Sequence, residues 1–386
     1  MPRGIEVPPQ RLAATRDALQ DWFRAGHRDL PWRRTRDPYA ILISEAMLQQ
    51  TRVETVIPYY ERFLAKLPSF AALAAAPHDD VMALWAGLGY YRRAASLQAC
   101  ARAVVERHGG ELPRDEEALL ALPGVGAYTA GALRSIAFHE EAALVDGNVV
   151  RVLSRLFRIQ DGLGAARAEV WRIAGLLVRG ARPSDLNQGL MELGATVCTP
   201  RKPRCEGCPL AARCDAKAAG DAESFPTGKT QSAVRAMALE LAWIERDGAV
   251  LLVKRPAVGL WAGLWDLPSH ESDVDAGASP GEIASRIGSR LALAIELESE
   301  LARCVHVLSH RRVEARVWRA RLASERVAER AEEGGEAPLR WMPIEEPQSR
   351  GTSTLTRRLW KDVLEARRRP ALFDAAAPRT RARGRE

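Results

Sequence analysis

From Arg11 to about Glu223, apolar side chains recur three or four residues apart, broken only by short Gly and Pro interruptions. This spacing predicts helices over Tyr39–Arg62, Ser69–Ala76, Asp79–Ala86, Arg92–His108 and Ala168–Val178, with no strand alternation between them. After Pro226 the period shifts to two. Met237–Ile244 and Val250–Val253 read as strands about the turn Arg246-Asp247-Gly248, and Val313–Ala320 alternates again. Helical stretches at Pro280–Leu291 and Ser353–Arg367 flank these strands. The pattern predicts a multidomain chain with an all-α half, 1–225, and an α+β half, 237–366. A linker is expected over 226–236, where Pro226, Gly228 and polar residues gather, and a tail over 367–386. No internal repeat is visible.

Length agrees with this division, since 386 residues suit two or three domains. With 47% apolar and 27% charged residues, the chain is neither wholly disordered, nor collagen-like, nor a multi-span membrane protein. No stretch offers about twenty apolar residues free of charge, and the opening MPRGIEVPPQ has no apolar signal-peptide core. A cytoplasmic monomer without membrane association is expected, nucleoid-associated if the source is bacterial. The net charge of +7 is unevenly spread. Residues 1–225 carry 29 basic and 26 acidic side chains, 226–366 carry 20 and 21, and 367–386 carry 7 and 2. Most of the excess is thus an Arg-rich tail expected to be disordered and solubilising, so total charge says little about a polyanionic partner.

Four short segments of the helical half carry chemistry. Cys198, Cys205, Cys208 and Cys214 are spaced C-x6-C-x2-C-x5-C, and a four-thiolate set this compact points to a metal centre, with zinc and an iron–sulfur cubane both fitting the ligand count. Between the first two ligands, Arg201, Lys202 and Arg204 place three cations on a loop braced at both ends, suited to phosphate contact. Leu122-Pro123-Gly124-Val125-Gly126 lies between the helical patterns Glu116–Ala121 and Tyr128–Ala137, so the Gly124 and Gly126 amides can approach a phosphate unobstructed. In Ser44–Thr51, Glu45 sits among Ile41, Leu42, Ile43, Met47 and Leu48, where burial would keep it protonated as a general acid requires. Gln49, Gln50 and Thr51 are uncharged hydrogen-bonding groups suited to base edges. Finally, Asp146 opens a helix expected over Val150–Phe157 and serves either as its N-cap or as a second carboxylate beside Glu45.

Together these motifs resemble the helix-hairpin-helix superfamily of DNA glycosylases with an iron–sulfur cluster. Leu30-Pro31-Trp32-Arg33, Ser44–Thr51, Gly87-Leu88-Gly89-Tyr90-Tyr91 and Asp146-Gly147-Asn148-Val149 make the chain similar to the MutY-type adenine DNA glycosylases, from about Leu12 to Trp360. The resemblance implies an all-α helix-hairpin-helix glycosylase domain with a [4Fe-4S] loop, followed by an α+β Nudix-like domain. It implies a base-excision repair hydrolase that removes adenine mispaired with 8-oxoguanine, or with guanine, in double-stranded DNA. Glu45 is then the acid that protonates the leaving adenine and Asp146 the group that stabilises the sugar cation. Tyr128 and Asn148 support that site, and Arg33 lies near the adenine. Leu48, Gln49, Thr51 and Tyr90 are implied to meet the duplex. The four cysteines are implied to hold a [4Fe-4S] cluster. In related bifunctional enzymes a Schiff-base lysine stands at the position of Tyr128, so a monofunctional enzyme is expected. The rivals are an endonuclease III-like glycosylase/lyase and a non-enzymatic iron–sulfur DNA-binding protein.

In the second half, Leu239–Pro268 resembles the Nudix-like domain of the same family, while Pro280–Leu291 lacks the Glu-rich pattern of a pyrophosphohydrolase. A binding module is therefore expected, with Trp261 and Trp265 in its core. His306-Val307-Leu308-Ser309-His310 looks like the family's 8-oxoguanine loop. There Ser309 and His310 match the polar pair, and Leu308 replaces a common aromatic with an apolar wedge.

Overall fold

The computed structural model describes residues 5–160, 163–227, 234–256, 258–273, 278–308, 311–323, 338–345 and 351–368, with residues 163–166 described as backbone only. The chain separates into two compact units, Met1–Gln231 and Ser232–Glu386.

Among its described residues the first unit contains helices joined by loops and no strand. The run expected as one helix over Tyr39–Arg62 is two, Pro38–Leu48 and Val53–Lys66. The break has a backbone cause, because Gln50 sits at φ +59° in the left-handed region that ends helices. The first of these helices has no polar face: every residue from Tyr39 to Met47 is buried, including Ser44 and Glu45. Helix Gly147–Leu156 is likewise buried from Val149 to Leu156, and it begins three residues earlier than expected, with Asp146 as its N-cap. Two glycines fix how closely helices approach the segment between them. A Cβ on Gly131 would fall 2.0 Å from the Ala143 carbonyl oxygen, and one on Gly194 would fall 2.6 Å from Asn148 Cβ.

Among the described residues the second unit holds seven strands: β1 (Arg235–Arg246), β2 (Ala249–Lys254), β3 (Trp265–Asp266), β4 (Ser269–Ser272), β5 (Ile295–Val307), β6 (Arg311–Leu322) and β7 (Leu339–Pro343). They form a mixed sheet in the order β3-β2-β1-β6-β5, with β4 on β1 and β7 on β2. β1 and β6 run parallel in register from Arg235↔Arg311 to Ile244↔Ala320. Period-two patterning sorts the faces. Met237, Leu239, Leu241 and Trp243 pack with Leu355, Leu359, Trp360 and Val363 of helix Thr354–Arg368. Ala242 and Ile244 pack on the opposite face with Ile283, Ala284 and Ile287 of helix Pro280–Leu291. Trp265 belongs to the first of these cores and Trp261 packs against it. β1 starts at Arg235, within the span expected as linker, and the last helix continues through Arg367 and Arg368, where a tail was expected. Arg367 is held there by ion pairing with Glu245.

Asp266 is buried and hydrogen-bonded to Arg255 at 3.2 Å and to Thr356 at 2.9 Å, and Arg255 also pairs with Glu271. Burial pushes the Asp266 carboxyl above its usual range, with Arg255 opposing the shift. Removing the guanidinium would leave a carboxyl without its cation in the core. Arg255→Leu is therefore expected to destabilise this unit by about 3–5 kcal/mol, read as a lowered midpoint in urea unfolding followed by tryptophan fluorescence.

Candidate active site

Glu45 lies on the innermost helix at 5% exposure. Burial is the largest influence on its carboxyl and pushes it up to about 7. The Tyr128 hydroxyl, which donates to Glu45 Oε2, and the Arg33 charge act downward, while the Asp146 charge acts upward. A carboxyl in this state holds a proton near neutrality. The Tyr128 hydroxyl also lies 3.4 Å from Met191 Sδ, and its own pKa is raised well above the usual phenol value, chiefly by burial.

Tyr128 is brought to Glu45 by the helix-hairpin-helix. Helix Glu116–Leu120 starts with the Asp115 carboxylate accepting from Ala118 N at 2.9 Å, and the chain then turns into helix Ala127–Ala132. Gly124 makes the turn at φ +76°, where a Cβ would lie 2.7 Å from Ser96 Cβ, so both conformation and space exclude a side chain. Gly126 is the N-cap of the second helix.

Asp146 is the N-cap of helix Gly147–Leu156, and its charge is felt at Glu45. Its Oδ1 accepts from Val149 N at 2.7 Å, capping helix Gly147–Leu156, and its Oδ2 accepts from Asn148 Nδ2 at 2.8 Å. Asn148 Oδ1 in turn accepts from Arg151 Nη2 at 2.8 Å. Arg151 donates onward to the carbonyls of Cys198, at 2.8 Å, and Gly194, at 2.7 Å. A hydrogen-bonded chain thus runs from the Asp146 carboxylate to the first cysteine of the metal loop. Arg33 is not free beside Glu45: its Nη2 pairs with Glu192 Oε2 at 2.8 Å, and Arg28 grips the same carboxylate through Nε and Nη2 at 2.8 Å. Despite burial, these two guanidinium groups pull the Glu192 carboxyl down to about 2.

Glu192, Met191 and Arg151 were missed from sequence. Glu192 carries the same signal as Glu45, an acid inside an apolar helical run, here Leu190-Met191-Glu192-Leu193. Arg151 and Arg155 carry a related one, two cations one helical turn apart in the otherwise mostly apolar run Val149–Leu156, and both are buried.

The four cysteines follow helix Pro183–Thr196 on a loop of short 3-10 turns, and none of the six cysteines is paired in a disulfide. Burial raises the Cys208 thiol to about 11 and raises Cys214 as well, and each feels the other loop thiols electrostatically. Among the described residues no three His, Cys, Asp or Glu side chains converge on a single-ion site. Arg155, buried at 2% exposure, lies 3.4 Å from Cys198 Sγ through Nη1 and also donates to the carbonyls of Thr199 and Pro200. Four thiols with a buried cation beside one of them suit a cationic iron–sulfur core that would hold them as thiolates. Arg201, Lys202 and Arg204 are exposed on the same loop, with Lys202 N donating to Glu223 at 3.1 Å and Arg204 donating to the Thr196 carbonyl.

In the second unit Leu308 is half-buried and packs against the core beneath β5, whereas its neighbour Val307 is 68% exposed. Alternation explains the exchange: Cys304 and Leu308 point to the covered face, Val305 and Val307 away from it. Ser309 and His310 lie outside the described residues.

A buried acid bonded to a tyrosine, a capping carboxylate and a helix-hairpin-helix joined to a four-cysteine loop define a base-excision DNA glycosylase with an iron–sulfur cluster. Three family models agree: the HhH-GPD superfamily base excision DNA repair proteins match residues 43–173, the iron-sulfur binding domain of endonuclease III matches 198–214, and the NUDIX domain matches 240–362. Adenine DNA glycosylase of Rattus norvegicus is 35% identical over 412 residues, covering 92% of this chain and 79% of that protein. That of Homo sapiens is 40% identical over 314 residues, covering 67% of this chain and 58% of its own length. A solved thermostable thymine-DNA glycosylase superposes with a TM-score of 0.50 at 35% identity, over 54% of this chain and 98% of that one. The chain belongs to the adenine DNA glycosylases, and it is a DNA-binding enzyme of base-excision repair with a [4Fe-4S] cluster.

Arg151 joins the Asp146–Asn148 pair to the cysteine loop through Asn148 Oδ1 and the Cys198 carbonyl. Arg151→Leu is expected to lower single-turnover excision by about tenfold or more and to hasten loss of the cluster's visible absorbance in air.

Proposed function

We propose that the enzyme hydrolyses the N-glycosidic bond of adenine opposite 8-oxoguanine, or opposite guanine, in duplex DNA and leaves an abasic site without cutting the strand. The buried Glu45 carboxyl, bonded to Tyr128, carries this reading. Adenine must first leave the base stack, at an unstacking cost of a few kcal/mol that a mispair reduces. Glu45 gives its proton to a ring nitrogen of the flipped adenine. The C1′–N bond then breaks with its electron pair moving to the base, leaving an oxocarbenium-like sugar. Asp146, fixed by the Val149 amide and the Asn148 side chain, faces that charge. The Glu45 carboxylate then takes a proton from the attacking water, which restores the acid. Tyr128 offers a phenol where a lyase needs an amine, so no Schiff base forms there. When bound, the cluster holds the loop of Arg201, Lys202 and Arg204 in place.

The second unit is read as the reader of the opposite base. Helix Pro280–Leu291 has a single acid, Glu282, and its carboxylate is already engaged in a capping box with Ser279, which leaves no carboxylate set for pyrophosphate hydrolysis. The hairpin between β5 and β6 presents Val307, and Ser309 and His310 would supply its polar contacts.

Duplexes with adenine opposite 8-oxoguanine, adenine opposite cytosine, or an oxidised pyrimidine separate the readings. Strand breaks are expected only in the first and only after alkali, while breaks without alkali would favour a lyase. Glu45→Gln should lower single-turnover excision by about 10²–10⁴ while keeping affinity for the mispair. Because the protonated acid is the active form, excision should stay level below about pH 7 and fall about tenfold per unit above it. A level rate through pH 8.5, about one and a half units above that value, would remove Glu45 from the role.

A further inference from the structure

Two loops reach solvent at the end of the Glu45 helix. The first, Gln49–Thr51, has Gln49 and Gln50 exposed, with Gln50 in the left-handed region. The second, Gly87–Tyr90, has Tyr90 at φ +49° and 42% exposure. Left-handed backbone at two non-glycine residues costs about 1 kcal/mol or more each and persists only where surrounding contacts hold it.

Arg93 provides those contacts. From the first turn of helix Arg92–His108, its Nη1 donates to the carbonyls of Ala46 at 2.7 Å, Met47 at 2.9 Å and Gln49 at 2.6 Å. Its Nη2 reaches Thr51 Oγ1 at 3.2 Å and the carbonyls of Leu88 at 3.3 Å and Gly89 at 3.0 Å, and Nε reaches the Tyr90 carbonyl at 3.4 Å. The guanidinium also lies 5.3 Å from the Trp85 ring and 5.5 Å from the Tyr90 ring. All these acceptors are neutral oxygens shared among five N–H groups. Burial holds the guanidinium down at about 10, which leaves it a cation whose neighbours are dipoles and ring faces. Its planar fork spans both loops at once, which an ammonium group cannot reproduce.

We propose that Arg93 is a positioning residue that locks the 49–51 and 87–90 loops into one wedge, which enters the duplex as a unit when the adenine is flipped. This rests on the base-excision reading above and extends it. Two of the clamped carbonyls, Ala46 and Met47, directly follow Glu45, so the wedge and the acid share one anchor. Insertion of the wedge and placement of the acid therefore occur together.

The test compares the whole holoenzyme with Arg93→Lys and Arg93→Gln on two duplexes containing the same adenine·8-oxoguanine pair, one flanked by G·C and one by A·T pairs. A second measurement follows 2-aminopurine in place of the adenine as it unstacks, and Thr51→Val serves as a milder variant if the Arg93 variants do not fold. With the clamp weakened, flipping limits the reaction. Excision should fall by about tenfold or more beside G·C pairs, clearly less beside A·T pairs, and 2-aminopurine unstacking should slow in parallel. The alkaline limb of the pH profile should keep its position, since Glu45 retains its surroundings. Equal losses in both duplexes, or normal unstacking with slow excision, would overturn the wedge and leave Arg93 a purely structural residue. Absence of excision by the unsubstituted enzyme would instead overturn adenine opposite 8-oxoguanine as the substrate and the wedge with it.

Discussion

The chemistry of the helical unit depends on keeping one carboxylic acid dry. Glu45 and Glu192 are both buried glutamates, yet one is pushed up to about 7 and the other pulled down to about 2. Company decides the sign. Glu192 has two guanidinium groups in contact, whereas Glu45 has a phenol in contact and a second carboxylate nearby. Arg33 is common to both environments, because its charge also lowers Glu45. By binding Arg33 directly, Glu192 supplies the compensating charge, and the proton on Glu45 survives beside a guanidinium that would otherwise favour ionisation.

The same logic of compensation governs the cysteine loop. Buried thiols resist ionisation, so the ligand set depends on a cationic centre and on Arg155 beside Cys198. Four thiolates around a dicationic core contribute about −2. This offsets most of the small basic excess of residues 1–225, 29 basic against 26 acidic side chains. Affinity for the DNA backbone must then come from where cations and amides are placed rather than from total charge.

Much of this was legible in the sequence because the informative signals were local. Period-two and helical spacing separated the halves, cysteine spacing marked the loop, and an acid amid Ile41, Ile43 and Met47 marked Glu45. What escaped was set by tertiary partners. The break after Leu48 carries no Gly or Pro, and its cause is a left-handed Gln50 whose neighbours are held by an arginine more than forty residues away. The strand β5 was missed because, at the sheet edge, Ile295–Val307 is only partly covered and its apolar alternation is diluted by charge. The half-burial of Leu308 was likewise not legible, because one step of strand register decides which of two adjacent apolar residues faces the core.

The two glycines that border the Ala143–Asn148 segment carry a consequence of their own. Gly131 presses on one end of that segment and Gly194 on the other, each at a separation where even a methyl group has no room. The strip bearing Asp146 is thus held at both of its ends by close approach of a helix glycine. Such a part tolerates no gradual adjustment. A side chain at either glycine would therefore displace the loop that carries Asp146, and its carboxylate with it, rather than fill empty space.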